Sequence, residues 1–112
     1  MSRKLASGSL STALLVVALG AQADINIGVT LSATGPAASL GIPEKNTLTL
    51  VPTTIAGHKL NFIVLDDASD TTTAVKNTRK LVSEDRVDVV IGSTITPNSL
   101  AMVDVVAEAE VR

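Results

Sequence analysis

The sequence predicts an α/β protein built on a three-layer, doubly wound parallel sheet. After residue 24, short and almost continuously apolar segments alternate with helix-like segments in the order β-α-β-α-β-α. Strands that are apolar on both faces are typical of parallel sheets, because helices cover the two faces of such a sheet. No internal repeat and no low-complexity segment interrupts this order.

The first 23 residues have the pattern of a secretory signal peptide. Arg3 and Lys4 give a basic start, an apolar run extends over residues 10–19, and Ala21 and Ala23 stand where a signal peptidase requires small residues. The apolar run is shorter than the about 20 residues of a membrane-spanning helix. We therefore expect cleavage after Ala23 and export of a domain over residues 24–112. The alternative is a buried N-terminal helix.

The first half of that domain begins with a clear strand and then becomes ambiguous. Residues 25–31 are β-branched and bounded by polar residues, which predicts a strand. Residues 32–41 are small and contain the turn signal Gly35-Pro36, which predicts a loop. The position of residues 43–55 suggests a helix, but their threonines and Pro52 lower the helix propensity.

The middle of the domain gives stronger signals. Residues 56–59 are predicted to form a turn, and the apolar residues 60–67 a second strand that ends in two carboxylates. Residues 69–85 form the clearest predicted helix, with Asp70 as its N-cap.

The last predicted strand opens into a loop rich in hydroxyl groups. Residues 87–92 form this short strand, Thr96 is the expected N-cap of the last helix, and Pro97 suits its first turn. Leu100 and Val103 are expected on the apolar face of that helix.

Composition excludes several classes of protein and site. Nine basic residues against eleven acidic ones give a net charge of −2, and nucleic-acid binding needs clustered basic residues. The absence of cysteine excludes disulfides. A single histidine with scattered acids forms no recognisable metal site, so we expect neither metal nor cofactor.

No enzyme motif is present. The spacing of Gly28, Gly35 and Gly41 differs from the dinucleotide-binding pattern, and no lysine follows as in a phosphate-binding loop. There is no G-x-S-x-G sequence, which counts against an exported hydrolase, and His58 lies in a polar turn. We therefore expect a protein that is not an enzyme.

Three acids, Asp66, Asp67 and Asp70, follow the second strand. They could form a carboxylate pair or contribute to a metal site. We interpret them as a strand-end turn and an N-cap, because no histidine or further acid lies near them in sequence.

Three ordered motifs resemble a known family: "GPAASLG" after the first strand, "LDDASD" after the second and "IGSTITP" after the third. With the signal peptide, they are similar to the N-terminus of periplasmic branched-chain amino acid (leucine/isoleucine/valine)-binding proteins of ABC transporters. The resemblance implies a partial N-terminal lobe of a type I periplasmic binding protein fold. It also implies capture of an amino acid or related small carboxylate in the periplasm, and an inner-membrane ABC permease as partner.

The hydroxyl-rich loop is the candidate ligand site. In open α/β sheets ligands lie beyond the carboxyl ends of strands, where Ser93, Thr94 and Thr96 follow Gly92. The N-terminus of the next helix offers N–H groups and a positive dipole to a carboxylate. The resemblance adds Leu40 as a contact for the ligand side chain. The alternative is that Thr96 only caps the helix, Ser93 only forms a turn and Leu40 packs on its own lobe.

Members of the resembling family are three to four times longer and close two lobes over a ligand. The sequence therefore leads us to expect a fragment of such a protein. Two alternatives remain: an exported module that presents its ligand state to a receptor, and a nonfunctional truncated product.

Overall fold

The computed structural model describes residues 23–112, so the predicted signal peptide lies outside the described residues except for Ala23. The chain forms a sheet with helices on both faces. The elements in chain order are β1 (Ile25–Leu31), α1 (Ala38–Thr47), a 3₁₀ turn (Leu48–Leu50), β2 (Thr54–Ile55), β3 (His58–Asp66), α2 (Thr71–Ser83), β4 (Val89–Ile91) and α3 (Thr96–Glu108).

The described sheet has the strand order β2-β3-β1-β4. β1 is central and parallel to both neighbours, with Ile25 opposite Leu60 in β3 and Ile27 opposite Val89 in β4. The carboxyl ends of all three strands therefore meet at one edge of the sheet. The predicted parallel sheet is confirmed.

Successive residues of β1 face opposite layers, as the pleat of a strand requires. Gly28 lies against Leu81 of α2, whereas Val29 and Leu31 lie on the side of α1 with Leu48. α2 also packs along α3. This arrangement gives the predicted three layers. The fully or nearly buried apolar side chains are Val29, Leu31, Ala37, Leu60, Ala74, Leu81, Val87 and Met102.

The ambiguous first half of the domain is now defined. α1 begins at Ala38, inside the segment predicted as a loop, and ends where the 3₁₀ turn starts. Gly41, the fourth residue of α1, allows the first turn of the helix to lie against the chain that follows β1. A Cβ at this position would overlap the carbonyl oxygen of Ser32, so only glycine lets α1 pass so close to the end of β1.

One strand was not predicted. The two residues of β2 pair antiparallel with His58 and Lys59, so the predicted turn at 56–59 is shorter and its last two residues belong to β3. Only Ala56 and Gly57 form the turn. Both have positive φ angles, as expected for a two-residue hairpin connection.

The two predicted N-caps have different outcomes. Asp70 caps α2 and accepts a hydrogen bond from the Thr73 N–H at 2.7 Å, as predicted. The prediction for Thr96 is wrong, because Ile95 is the N-cap of α3. The Ile95 carbonyl accepts the first helical hydrogen bond, from Ser99, so Thr96 is already the first residue of the helix.

The exposed and buried faces of α3 also differ from the prediction. Asn98 and Met102 are buried, whereas Leu100 and Val103 are exposed. Within residues 23–112, no helix is both long and apolar enough to cross a membrane.

Candidate functional site

A cleft of about 480 Å³ opens where β1 and β4 end, beside α1. The strands contribute its floor and α1 with the following turn contributes one wall. This is the edge of an open α/β sheet at which ligands characteristically bind. The lining residues are Val29, Thr30, Leu31, Glu44, Thr47, Leu48, Ile91, Gly92 and Ser93.

The segment that leads from β4 into α3 spans residues 92–95, and we call it the β4–α3 loop. Gly92 and Ser93 line the cleft, whereas Thr94, Ile95 and Thr96 are not among its lining residues. Gly92 fixes the starting point of the loop. The residue has a φ of +144°, and a Cβ there would overlap the carbonyl oxygen of Thr30. Only glycine therefore allows the chain to turn off the sheet at this point.

Ser93 turns its hydroxyl inward, to a buried carboxylate. Its Oγ donates to Oδ2 of Asp67 at 2.5 Å, while its N–H donates to the Oγ of Ser99 at 2.7 Å. Ser99 Oγ in turn donates to the Ser93 carbonyl. The side chain of Ser93 thus lines the cleft with its proton already committed to Asp67.

Thr94 joins the β4–α3 loop to α1 and to the residue that follows β1. Its Oγ1 donates to Oε2 of Glu44 in α1 at 2.6 Å and accepts from the N–H of Ser32 at 2.9 Å. The hydroxyl therefore holds together the loop, the end of β1 and α1.

Unlike the hydroxyls of Ser93 and Thr94, the hydroxyl of Thr96 has no partner among residues 23–112. Thr96 is exposed, and its side chain makes no hydrogen bond to any of residues 23–112. In the same part of the chain, the N–H groups of Thr94, Ile95 and Thr96 donate no hydrogen bond. Three backbone donors and one hydroxyl therefore remain available at the N-terminus of α3.

Leu40 lies in the first turns of α1 rather than in a loop, since α1 begins at Ala38. Its side chain is 58% exposed and it is absent from the lining of the cleft. The wall formed by α1 and the following 3₁₀ turn comes instead from Glu44, Thr47 and Leu48. Whether Leu40 contacts a ligand stays a prediction.

Asp66 organises the neighbouring loop after β1. Its carboxylate accepts hydrogen bonds from the N–H groups of Ala33, Thr34 and Ala68, and from the Thr34 hydroxyl at 2.6 Å. Partial burial raises the pKa of this carboxyl. The Thr34 hydroxyl and the three N–H groups outweigh that effect, and the pKa lies below its usual value of 3.8.

This lowered pKa predicts an acid-sensitive loop. A carboxyl whose pKa is depressed by folding contributes stability above its unfolded pKa, and that contribution is lost as the pH falls through the folded pKa. The free energy of unfolding of Asp66→Asn should therefore lie below that of the parent at pH 7, and the gap should close below pH 3.8. Urea unfolding at a series of pH values measures it.

The matched variant is Thr34→Val, which removes the side-chain donor and leaves the carboxylate in place. Its free energy of unfolding should lie below that of the parent by a smaller amount, and this difference should narrow over the same pH range. A gap for Asp66→Asn that stayed constant from pH 7 to pH 2.5 would contradict the assignment.

No group of three or more His, Cys, Asp or Glu side chains among residues 23–112 is arranged to hold a metal ion. Asp66 and Asp67 instead accept hydrogen bonds from loops, and Asp70 caps α2. The interpretation of the three acids as a strand-end turn and a cap is in line with these contacts.

The sequence predictions missed two residues of the site. Glu44 lies in the segment whose structure was ambiguous, and no pattern around it indicated a place in the cleft. Asp67 was assigned only to a turn, although a second carboxylate directly after a buried strand was the available signal. Its side-chain donors come from segments 26 to 37 residues away, and sequence spacing does not indicate such contacts.

Comparison with known proteins identifies the fold and the family. Residues 24–111 match the family described as periplasmic binding protein. A solved extracellular ligand-binding receptor from Rhodopseudomonas palustris HaA2 is 51% identical, with a TM-score of 0.78, over 80% of this chain and 25% of its own. No protein with a curated description matches the chain.

Two further solved structures have ligands. A solute-binding protein of an ABC transporter from Rhodopseudomonas palustris BisB5, in complex with 3,4-dihydroxybenzoic acid, is 30% identical (TM-score 0.75, 79% of this chain, 25% of that one). A branched-chain amino acid transporter substrate-binding protein from Streptococcus pneumoniae, in complex with isoleucine, is 24% identical and shows the shared fold (TM-score 0.70, 79% and 27%). The chain spans about a quarter of the length of the structures that it matches.

Proposed function

The chain belongs to the periplasmic binding protein family, and we propose that it forms part of the first lobe of a substrate-binding component of an ABC transporter. In this proposal the protein is exported after cleavage at Ala23, captures a small carboxylate in the periplasm and delivers it to an inner-membrane permease. No covalent chemistry is involved. Closure of a second lobe over the cleft would complete the site, as in hinge-bending binding proteins.

The observation that carries the proposal is the set of free donors at the N-terminus of α3, directly after Ser93, which lines the cleft. Thr96 offers an unpaired hydroxyl, and the N–H groups of Thr94, Ile95 and Thr96 are unpaired within residues 23–112. They lie at the N-terminus of a 13-residue helix, where the backbone dipole also favours an anion. Donors without a fixed positive charge favour both capture and release of a carboxylate.

We propose different roles for the three hydroxyl residues that the sequence predicted at the site. Thr96 is proposed to donate to the ligand directly. Ser93 and Thr94 are proposed to line and shape the site, since their protons are committed to Asp67 and Glu44. Leu40 is proposed to reach an apolar part of the ligand from the first turn of α1.

Glu44 supports a ligand that has a carboxylate at one end and hydrogen-bond donors at the other. Its exposed carboxylate lines the cleft and is not paired with a basic residue among residues 23–112. A second negative group beside it would be repelled, whereas an ammonium or a phenolic hydroxyl would be accepted. Aliphatic amino acids and hydroxylated aromatic acids both fit, and the complex with 3,4-dihydroxybenzoic acid in a 30% identical protein supports the second class.

A titration with matched pairs of ligands tests the carboxylate claim. NMR spectra of the chain should show shifts of the Thr94, Ile95 and Thr96 amide signals with 3,4-dihydroxybenzoate but not with catechol, which lacks the carboxylate. L-leucine and L-leucinamide form the second pair. NMR is suited to the millimolar affinities expected when one wall of a two-lobe site is measured alone.

The expected result is carboxylate-dependent shifts at these three amides with at least one pair. Equal shifts with the acid and its neutral analogue, or shifts confined to other residues, would contradict the proposed site.

A further inference from the structure

Asp67 is a fully buried carboxylate that no basic residue neutralises within residues 23–112. Its charge is balanced by hydrogen-bond donors alone. Ser32 Oγ donates to Oδ1 at 2.7 Å, the Ser69 N–H donates to the same oxygen at 3.0 Å, and Ser93 Oγ donates to Oδ2. Thr30 Oγ1 makes a longer contact to Oδ2, at 3.5 Å.

These donors come from three different places in the chain. Thr30 lies at the end of β1 and Ser32 directly follows it. Ser69 belongs to the loop after β3, and Ser93 to the β4–α3 loop. Removing a buried carboxylate from water is costly unless hydrogen bonds satisfy it. The carboxylate therefore favours the one arrangement in which all three strand ends supply their donors.

We propose that Asp67 is a positioning residue for the β4–α3 loop. It holds the Ser93 hydroxyl and so fixes the backbone that carries the free N–H groups of Thr94, Ile95 and Thr96. The inference rests on the proposed function for the task of that loop. It adds that Ser93 supports ligand binding by anchoring the loop to Asp67, and that it does not donate its own proton to the ligand.

Two amide protons report the position of the loop without any ligand. The Ser93 N–H donates to Ser99 Oγ, and the N–H of buried Ser32 donates to Thr94 Oγ1. Both hydrogen bonds exist only while the loop is in place. Their hydrogen exchange therefore measures local opening of the loop, and the amides of the centre of β1 measure global unfolding.

The experiment compares exchange in the ligand-free chain and in Ser93→Ala, Asp67→Asn and the double variant. A hydrogen bond to a charged group should stabilise the closed position of the loop, so that its loss raises the opening equilibrium about tenfold or more. The amides of position 93 and of Ser32 should exchange at least about tenfold faster in each single variant. The double variant should exchange no faster than the faster single one, because each change removes the same charge-assisted hydrogen bond between Ser93 and Asp67.

Two further variants separate positioning from mere stability. Ser32→Ala removes an equally buried donor to Asp67 but leaves the Ser93 bond, so the amide of Ser93 should keep its protection. Ser93→Thr keeps the hydroxyl and should restore slow exchange.

The proposal is overturned if the two reporter amides accelerate only as much as the β1 amides do, if the single effects multiply in the double variant, or if Ser93→Thr behaves like Ser93→Ala. Failure of the parent chain to bind 3,4-dihydroxybenzoate would count against the proposed function alone, since exchange is measured without ligand.

Discussion

Gly92→Ala should be among the most destabilising single substitutions in the chain, with a loss of about 3 kcal/mol in the free energy of unfolding. Two costs combine at this position. The backbone has a φ of +144°, which L-residues avoid, and the new Cβ would overlap the Thr30 carbonyl oxygen. The Thr30 backbone lies in the central strand and has little freedom to move away.

The matched control is Gly28→Ala, the same change in the same sheet. Its new methyl group would lie about 3.0 Å from the ends of the Leu81 side chain, which can adjust more readily than a backbone oxygen. Urea unfolding followed by circular dichroism should therefore show a clearly smaller loss for Gly28→Ala. Equal losses for the two variants would show that the turn at Gly92 is not as constrained as the structure indicates.

Features fixed by contacts within a few residues could be predicted from the sequence. Asp70 was identified as an N-cap because its partner, Thr73, is three residues away. β1 was predicted with its observed bounds, since its residues are β-branched and polar residues flank them. The parallel sheet followed from the alternation of such strands with helices.

Features that depend on distant contacts could not. The start of α3 is an exception, because it is local and was still missed. Threonine is the better N-cap by residue type, yet the Ile95 carbonyl receives the N–H of Ser99, four residues further on. Leu100 and Val103 fit an apolar stripe, yet α3 buries the face with Asn98 and Met102. Helical spacing describes a stripe, but the neighbouring helix determines which face it covers.

The candidate site shows the same division. The sequence located the β4–α3 loop, because a glycine, hydroxyl residues and Pro97 follow a short apolar strand. It did not reveal that Ser93 and Thr94 are bound to Asp67 and Glu44, whose positions are 26 and 50 residues away. The structure thereby changes which hydroxyl is available to a ligand.

Thr96→Val should weaken binding of a carboxylate at least tenfold, and up to about a hundredfold, because a hydrogen bond to a charged group stabilises by about 1.5–3 kcal/mol. Valine has nearly the same shape and a similar helix propensity. Since Ile95 and not Thr96 is the N-cap, the substitution removes no capping bond. The loss should therefore appear in affinity and not in the free energy of unfolding.

The control is Thr72→Val, the same change at an exposed threonine in the first turn of α2, away from the cleft. The decisive measurement is the dissociation constant for 3,4-dihydroxybenzoate, obtained by NMR titration of the parent, Thr96→Val and Thr72→Val. The account predicts that only Thr96→Val loses tenfold or more in affinity while all three remain folded. Parent-like binding by Thr96→Val would show that the N-terminus of α3 does not hold the ligand carboxylate.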